Sequence, residues 1–241
     1  DFRTELSHES GERRLDASAA LETDIDDDSG HGRLVEQTPS GSEIGSEARD
    51  EREFTRTASL NAEYRVPAGG GELVANANVA RERTLERILS GEDDDLRLAR
   101  SRERLWTGEA SGQYRATVTG GDLEALVVQR IGRLRARDEE EDESFTEATR
   151  TSETIARAEY RRGSDRLRLF GSLEGTRNRL TSDAELVIGG EPVPIKGSDV
   201  NVIERRAETA FGAIWKPAAS FIVEPTMRAE VSTVRSTGDS P

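Results

Sequence analysis

The sequence predicts an all-β protein: the wall of an antiparallel transmembrane β-barrel, with about ten strands arranged as five hairpins. Three observations lead to this fold class. Long stretches alternate between apolar and polar residues with a period of two, short turns rich in Gly, Pro, Asp and Ser join these stretches in pairs, and charged residues keep to one of the two faces. Every second residue is therefore expected to face lipid, and the residues between them water or protein.

Four hairpins precede the one with the clearest alternation. Their strands are predicted over 1–9 and 14–25, 54–66 and 72–88, 105–118 and 123–136, and 153–162 and 166–178. Turns of roughly three to five residues, such as Pro67-Ala68-Gly69-Gly70-Gly71, join the two arms of each hairpin. In the second hairpin, one face is predicted to hold Ala58, Leu60, Ala62, Tyr64 and Val66, with Leu73, Ala75, Ala77 and Val79 across the turn.

The fifth hairpin, within 204–234, has two arms that flank a break at Pro217-Ala218-Ala219. One face of it is predicted to hold Ala207, Thr209, Phe211, Ala213 and Trp215, and then Phe221, Val223, Pro225, Met227, Ala229 and Val231. Arms of about 13 to 15 residues exceed the roughly 5 to 6 residues of most globular strands, which favours membrane-crossing strands. Because Pro225 cannot donate a hydrogen bond to the strand ladder, we expect a bulge or a register irregularity there.

The segments between hairpins are long and polar, at 26–53, 89–104, 137–152 and 179–203. We expect them to be long extracellular loops, with the short turns on the periplasmic side. They contain the acidic runs Asp26-Asp27-Asp28, Glu92-Asp93-Asp94-Asp95 and Asp138-Glu139-Glu140-Glu141-Asp142-Glu143. None of these runs has the spacing of a dedicated calcium loop, so solvated loops are the preferred interpretation and calcium binding is the alternative.

The composition by itself suggests a solvated acidic protein. The 241 residues carry a net charge of -14, 34% of them are charged, and the mean hydropathy is -0.71. No apolar run approaches the roughly 18 residues of a transmembrane helix. A barrel strand needs only alternate apolar residues, so low mean hydropathy is compatible with it. With a pI near 4.8 and no basic cluster free of acidic neighbours, nucleic-acid binding is not expected.

Charge separates the two predicted faces of the last two hairpins. Of 19 positions on the predicted lipid face none is charged, whereas 12 of the 20 interleaved positions are. Arginine or lysine on the lipid face costs about 2–4 kcal/mol at the midplane, which explains such a separation. The predicted lumen face comprises Arg157, Glu159, Arg166, Arg168, Glu174, Arg206, Glu208, Glu224, Arg228 and Glu230.

Aromatic residues are predicted to mark the membrane interfaces. Four of them lie a few residues before tight turns on the apolar face: Tyr64, Tyr114, Tyr160 and Trp215. Trp106 and Phe54 are placed near the other end of their strands. Since aromatic rings collect at both membrane–water boundaries of barrels, we predict an interfacial girdle.

The sequence gives little indication of catalytic or metal chemistry. His8 lies on a predicted strand and His31 in a predicted loop, without the spacing of metal ligands. Without a histidine placed to act as a base, a hydrolytic triad is not supported, so an enzyme is not expected. There are no cysteines, which excludes disulfides and cysteine-bound metals. No catalytic, cofactor or metal residues are predicted, and the ligand-binding residues stay unknown.

From Ala156 to Asp239 the chain resembles the barrel of TonB-dependent outer-membrane receptors. Three segments carry the resemblance: ARAEYRRGSDRLRLFGSLEGTRNRL, GEPVPIKGSDVNVIERRAETAFGAIWKP and FIVEPTMRAEVSTVRSTGD. The family implies a barrel of about 22 strands that encloses an N-terminal plug. The plug, the energy-coupling box and the aromatic-ended last strand are not in these residues, so 1–241 is expected to be an internal part of one barrel domain.

The resemblance also implies a function and a set of partners. It implies a receptor in the outer membrane of a Gram-negative bacterium that imports a scarce ligand, such as a metal chelate or an oligosaccharide. Its partners would be the lipid bilayer and lipopolysaccharide, the plug of the same parent chain, a TonB-type energy-coupling protein acting through the plug, and the small-molecule ligand. Two alternatives stay open: a passive channel or structural barrel closed by about ten strands, and a soluble acidic surface-binding module.

Overall fold

The structure, a computed structural model, describes residues 1–26, 32–37, 43–92, 95–218 and 220–238. Within these ranges the chain forms one antiparallel sheet of 13 strands, which confirms the predicted all-β fold. No helix in this described part is long and apolar enough to cross a membrane. The strands are β1 (Phe2–Ser10), β2 (Arg13–Asp26), β3 (Gly32–Gln37), β4 (Glu43–Ala68), β5 (Gly71–Glu92), β6 (Asp95–Val118), β7 (Gly121–Glu140), β8 (Glu143–Gly163), β9 (Leu167–Ile188), β10 (Glu191–Val193), β11 (Val200–Ala218), β12 (Phe221–Val223) and β13 (Thr226–Gly238).

Ten long strands lie side by side in chain order. The order is β1-β2-β4-β5-β6-β7-β8-β9-β11-β13, and the short strands β3, β10 and β12 pair with β4, β9 and β11. Each long strand is antiparallel to the next, so the predicted set of about ten strands is confirmed for the described residues. Within the same residues, β1 and β13 each pair with a single strand and form the two edges of the sheet.

The register keeps the two faces of the sheet in phase. In the second predicted hairpin, Val66 lies opposite Leu73 and Tyr64 opposite Ala75, as the alternation predicts. Directly opposed residues of antiparallel strands point to the same face. Following the partners from β1 to β13 therefore defines one apolar face and one polar face, which extend across all ten long strands.

For three of the predicted long loops, 89–104, 137–152 and 179–203, the prediction is wrong over most of the residues. The strands continue through these segments. β5 ends only at Glu92, and β6 begins already at Asp95. β7 and β8 are joined by the two-residue turn Glu141-Asp142. Of the predicted loop 179–203, only 194–199 lies outside the strands and the β9–β10 turn. A backbone ladder needs no apolar face, so pairing continues after the apolar alternation ends.

The first predicted loop, 26–53, lies partly outside the described residues. Asp27, Asp28 and His31 are among the residues that the structure does not describe, and so are Asp93 and Asp94 of the second acidic run. Within the described part, β3 and the first half of β4 occupy positions 32–37 and 43–53. This predicted loop therefore also contains paired strand.

Two-residue turns close several hairpins, with the backbone geometry that such turns require. Thr119 and Gly120 both have positive φ angles, of 49° and 77°, and Gly69 and Gly70 have φ angles of 56° and 82°. Two successive positive φ values define the type I′ turn, whose twist matches that of the strands it joins. These turns fall where the sequence predicted tight connections.

The irregularity predicted near Pro225 is confirmed. The pairing of β11 with β12 shifts between Trp215 and Ala218, and Glu224 and Pro225 interrupt the strand between β12 and β13. The Ala213 N–H donates to the Pro225 carbonyl oxygen at 3.1 Å. Proline has no N–H to return this bond, which explains the interruption of the ladder.

The sheet has almost no apolar interior. Among the described residues, Val128 is the only buried hydrophobic side chain, at 7% exposure. Large apolar side chains are exposed instead, for example Leu173 at 61%, Phe211 at 56% and Met227 at 68%. A monomeric soluble protein rarely exposes an apolar surface of this extent, so the apolar face requires an apolar environment.

Candidate functional site: the polar face and its rims

Two depressions lie on the polar face of the sheet. A depression of about 560 Å³ crosses β1, β2, β4 and β5, and its polar lining is Glu5, Ser7, Asp16, Ser18, Asn61, Glu63, Asn76, Asn78 and Glu109. A second depression of about 550 Å³ crosses β5 to β8 near the turns, and its charged lining is Glu72, Arg115, Asp122, Glu124, Glu159 and Arg161. All of these side chains belong to the polar face by register. Both of these depressions therefore open on the charged side of the sheet.

Hydrogen bonds fix the side chains of the first depression. Asp16 accepts hydrogen bonds from Ser7 Oγ at 2.7 Å and from Arg14 Nε at 2.6 Å. Asn78 donates its amide to Asn61 Oδ1, and Asn61 Nδ2 donates to Ser18 Oγ at 3.4 Å. A row of amides and carboxylates held in this way offers donors and acceptors to a hydroxyl-rich or charged ligand.

Eight of the ten residues predicted for the lumen lie together on the polar face, where several form ion pairs. Arg206 Nη2 lies 3.1 Å from Glu174 Oε1, and Arg228 pairs with Glu208 on the neighbouring strand. Glu159 pairs with both Arg157 and Arg161. By register, Arg168 and Glu230 share this face. Arg166 and Glu224 are outside the strands, in the connections before β9 and β13.

One charged contact on this face joins three strands that the sequence did not connect. Arg130 on β7 places Nε 2.7 Å from Glu109 Oε2 on β6 and Nη1 3.0 Å from Glu153 Oε2 on β8. The alternation assigns each of these residues to the polar face. Their distance along the chain hides the contact, which only the strand register reveals.

The predicted aromatic residues all lie on the apolar face, and two of the tyrosines bind the neighbouring turn. The Tyr114 hydroxyl donates to the Gly69 carbonyl at 3.2 Å, and the Tyr160 hydroxyl donates to the Val118 carbonyl at 3.2 Å. Tyr64 and Trp215 lie opposite the apolar residues Leu15 and Leu167. The tyrosine rings are thus placed among apolar neighbours while the hydroxyls bond to backbone at the turns, as interfacial tyrosines require.

The tyrosines also define a line that is oblique to the strands. Through the register of β5, Tyr64 is level with Gly112 on β6, and Tyr114 lies two residues nearer the turn than Gly112. Through the register of β7, Tyr114 is level with Ala158 on β8, and Tyr160 lies two residues nearer the turn than Ala158. An offset of two residues, about 6.6 Å, over two strand widths, about 9.6 Å, corresponds to a tilt of roughly 35°. Strands of membrane barrels tilt by about 35–45° from the axis.

Trp106 and Phe54 bound the apolar face at the other end. Arg133 lies over the Trp106 ring at 5.9 Å from its centroid, and Arg56 lies over Phe54 at 5.5 Å. Phe54 and Tyr64 are ten residues apart on β4, or about 33 Å along the strand and about 25 Å along the axis of a tilted barrel. This height equals the apolar band of an outer-membrane barrel, about 25 Å.

No three histidine, cysteine or carboxylate side chains in the described ranges are grouped as ligands. His8 lies on β1 on the apolar face, opposite Leu15.

No protein-family model and no curated protein matches the chain. Among solved structures, the ferric yersiniabactin uptake receptor FyuA from Yersinia pestis is similar over 95% of this chain and 51% of its own, with 10% identity and a TM-score of 0.37. The toluene transporter TbuX from Ralstonia pickettii is similar over 97% of this chain and 79% of its own, with 11% identity and a TM-score of 0.29. The transport unit of the autotransporter AIDA-I from Escherichia coli is similar over 98% of this chain and 87% of its own, with 6% identity and a TM-score of 0.19.

The chain spans about half the length of the Yersinia receptor. Similarities this distant carry no argument about function. The two faces of the sheet and their aromatic borders are the observations on which a function can be based.

Proposed function

We propose that the sheet is part of the wall of a β-barrel in the outer membrane of a Gram-negative bacterium. The observation that carries the proposal is the exposed apolar face, which extends over ten long strands while Val128 is the only hydrophobic side chain buried in the described residues. Lipid against this face removes the apolar surface from water, and the polar face lines the lumen. The strands extend farthest beyond Trp106, so we assign that end to the outside of the cell.

Within this class, we propose a TonB-dependent receptor that imports a scarce ligand, such as a metal chelate or an oligosaccharide. The sheet supports the proposal because its ten long strands leave β1 and β13 as edges in the described residues, where further strands of the same barrel domain would pair. The plug of the parent chain would lie against the polar face, and a TonB-type protein would act on the plug. The amide and carboxylate groups around Asp16 and Asn61 would contact the ligand or the plug.

The second candidate is a passive channel or structural barrel closed by these ten strands. It is favoured by the number of long strands, since membrane barrels begin at about eight. Closure would bring β1 beside β13, at a strand spacing of about 5 Å. Spin labels at Thr4 and Thr233 in the membrane-inserted protein separate the candidates, because they would be neighbours in a ten-stranded barrel and far apart in a larger one.

Refolding tests the membrane assignment. The denatured protein is diluted into dodecyl maltoside micelles and, in parallel, into water without detergent. We expect β-structure by circular dichroism, and resistance to protease, only in detergent, because the apolar face needs cover. A monomer that is folded and protease-resistant in water would overturn the assignment and support a soluble binding module.

A further inference from the structure

Above Trp106, the face that is apolar in the membrane becomes basic. We name as the arginine belt the twelve outward arginines of β4 to β8 that lie level with Trp106 or beyond it: Arg52, Arg56, Arg81, Arg83, Arg87, Arg100, Arg102, Arg104, Arg133, Arg135, Arg137 and Arg150. Register assigns every one of them to the same face as Tyr64 and Tyr114, and each is exposed. In a chain with a net charge of -14, this concentration of positive charge is local.

The opposite face is acidic at the same height. The inward positions between the belt arginines include Glu53, Glu82, Glu86, Glu103 and Glu147. The strands alternate here between arginine and acid, for example over Arg81-Glu82-Arg83. In the sequence seven of the twelve arginines adjoin an acidic residue, whereas in the sheet the two charges point to opposite sides.

Inside the belt, arginines oppose one another across the strands. One row runs through Arg56, Arg83, Arg104 and Arg135, each a direct partner of the next on the adjacent strand. Directly opposed like charges destabilise a sheet. The acids on this face lie at its upper border, where Asp50 is 3.8 Å from Arg52 and Glu139 is 2.8 Å from Arg137. An anionic ligand outside the sheet would therefore relieve the repulsion most among the four arginines of this row.

The belt begins where lipid headgroups would lie. Arg133 and Arg56 contact the border residues Trp106 and Phe54, so the lowest arginines lie at the upper limit of the apolar band. Guanidinium groups bind phosphate oxygens with paired, charge-assisted hydrogen bonds. An amphiphile whose acyl chains cover the apolar face could at the same time place the phosphates of its headgroup against the arginine belt.

We propose that the arginine belt is a binding site for the phosphates of an outer-leaflet phosphoglycolipid, the lipid A part of lipopolysaccharide. This inference rests on the proposed outer-membrane location and adds the residues of the site. The row from Arg56 to Arg135 forms its centre. Acyl chains lie along the apolar residues below, among them Val79 and Ile131.

The test compares two lipids and two variants of the whole protein in neutral phosphatidylcholine nanodiscs, with EDTA present so that no divalent cation bridges phosphate to carboxylate. Diphosphoryl lipid A and the same lipid without phosphates are titrated. In the belt variant, R83Q, R104Q and R135Q are combined. The charge-matched control combines R115Q, R157Q and R161Q on the inward face.

We expect the wild-type protein to bind the diphosphoryl lipid about tenfold or more tightly than the dephosphorylated lipid. The belt variant should lose this preference and the control should keep it. Equal binding of the two lipids by the wild-type protein would refute the site, and so would equal losses in both variants. Complete displacement by millimolar inorganic phosphate would also refute it, because the site would then take free phosphate.

Two further measurements keep the test decisive. If the belt variant does not fold, the single variant R104Q and the lipid preference of the wild-type protein decide the outcome. If the wild-type protein does not insert into nanodiscs at all, the proposed function fails. If it inserts without preferring the phosphorylated lipid, only the belt proposal fails.

Discussion

At the scale of single residues, the direction of a side chain decides which substitutions the wall accepts. Leu173 and Ser172 are adjacent on β9 and point to opposite faces. Leu173 is 61% exposed near the middle of the apolar band, between Tyr160 on β8 and the arginines Arg177 and Arg179 farther along β9. Substitutions at these two adjacent residues can therefore test which face of the sheet contacts lipid.

We expect Leu173→Arg to destabilise the membrane-inserted protein by about 2–4 kcal/mol, because it places a guanidinium at the bilayer midplane. Ser172→Arg, which adds the same group to the polar face, should change the stability by much less. Urea titration in lipid vesicles, followed by tryptophan fluorescence, measures both. Equal losses in the two variants would contradict the assigned faces.

Glycines on the sheet provide a second test at this scale. A Cβ added to Gly212 would collide with the Phe170 ring and would lie 2.8 Å from the Pro225 carbonyl oxygen, whereas a Cβ added to Gly175 would meet nothing within 4 Å. We expect Gly212→Ala to lower the urea midpoint and Gly175→Ala to leave it unchanged or raise it. A Gly212→Ala variant as stable as the Gly175→Ala variant would contradict the described packing of Phe170.

At the scale of elements, the turn between β6 and β7 contains a residue that is unsuited to its backbone conformation. Thr119 has a φ of 49°, which β-branched residues rarely adopt, and it precedes Gly120. Asparagine tolerates positive φ, and Asn-Gly is a favoured pair for type I′ turns. We expect Thr119→Asn to stabilise the protein by about 0.5–1 kcal/mol, as measured by urea unfolding in detergent.

Thr117→Asn, two residues earlier on β6, is the matched control for this prediction. It introduces the same side chain at an exposed strand position, where asparagine is mildly unfavourable. If both variants shift the unfolding midpoint in the same direction, the turn geometry at Thr119 is not the cause.

The elements also show how far the sequence can predict this fold. The pairing of Tyr64 with Ala75 and the tight turn at Thr119-Gly120 follow from the alternation of apolar and polar residues and from turn residues. The continuation of β5 and β6 beyond their predicted ends does not follow from these signals. There the alternation is between arginine and acid, as in Arg102-Glu103-Arg104, and a search for an apolar face classifies such a segment as a loop.

The contacts of the candidate site were predictable only in part. Alternation assigns Arg206 and Glu174 to the polar face, but the ion pair between them depends on which residues of β9 and β11 are opposed. The same holds for Arg130 between Glu109 and Glu153. One sequence gives the face of each residue with a period of two, whereas the pairing of strands comes from three-dimensional register.

At the scale of the whole molecule, the two tryptophans report on opposite borders of the apolar band. Trp106 lies at the end next to the arginine belt, and Trp215 lies near the β11–β12 connection at the opposite end. The chain has two tryptophans, so Trp106→Phe and Trp215→Phe each leave a single fluorophore.

We expect both single-tryptophan proteins in lipid vesicles to be quenched more strongly by lipids brominated near the headgroup than by lipids brominated near the chain ends. Iodide outside the vesicles should quench only one of the two proteins, because the borders lie in different leaflets. Strong quenching of both fluorophores from one side would contradict a sheet that crosses the bilayer.

The height of the paired strands has a consequence for the cell surface. From Ala99 to Leu105, β6 continues as strand hydrogen-bonded to both β5 and β7 for about 23 Å beyond the Trp106 border, which is about 19 Å above the bilayer in a tilted strand. Proteolytic enzymes bind their substrates as single extended chains, and a chain held between two neighbours cannot enter such a cleft. Intact bacteria treated with trypsin should therefore retain this part of the protein uncut, although arginine is its commonest residue.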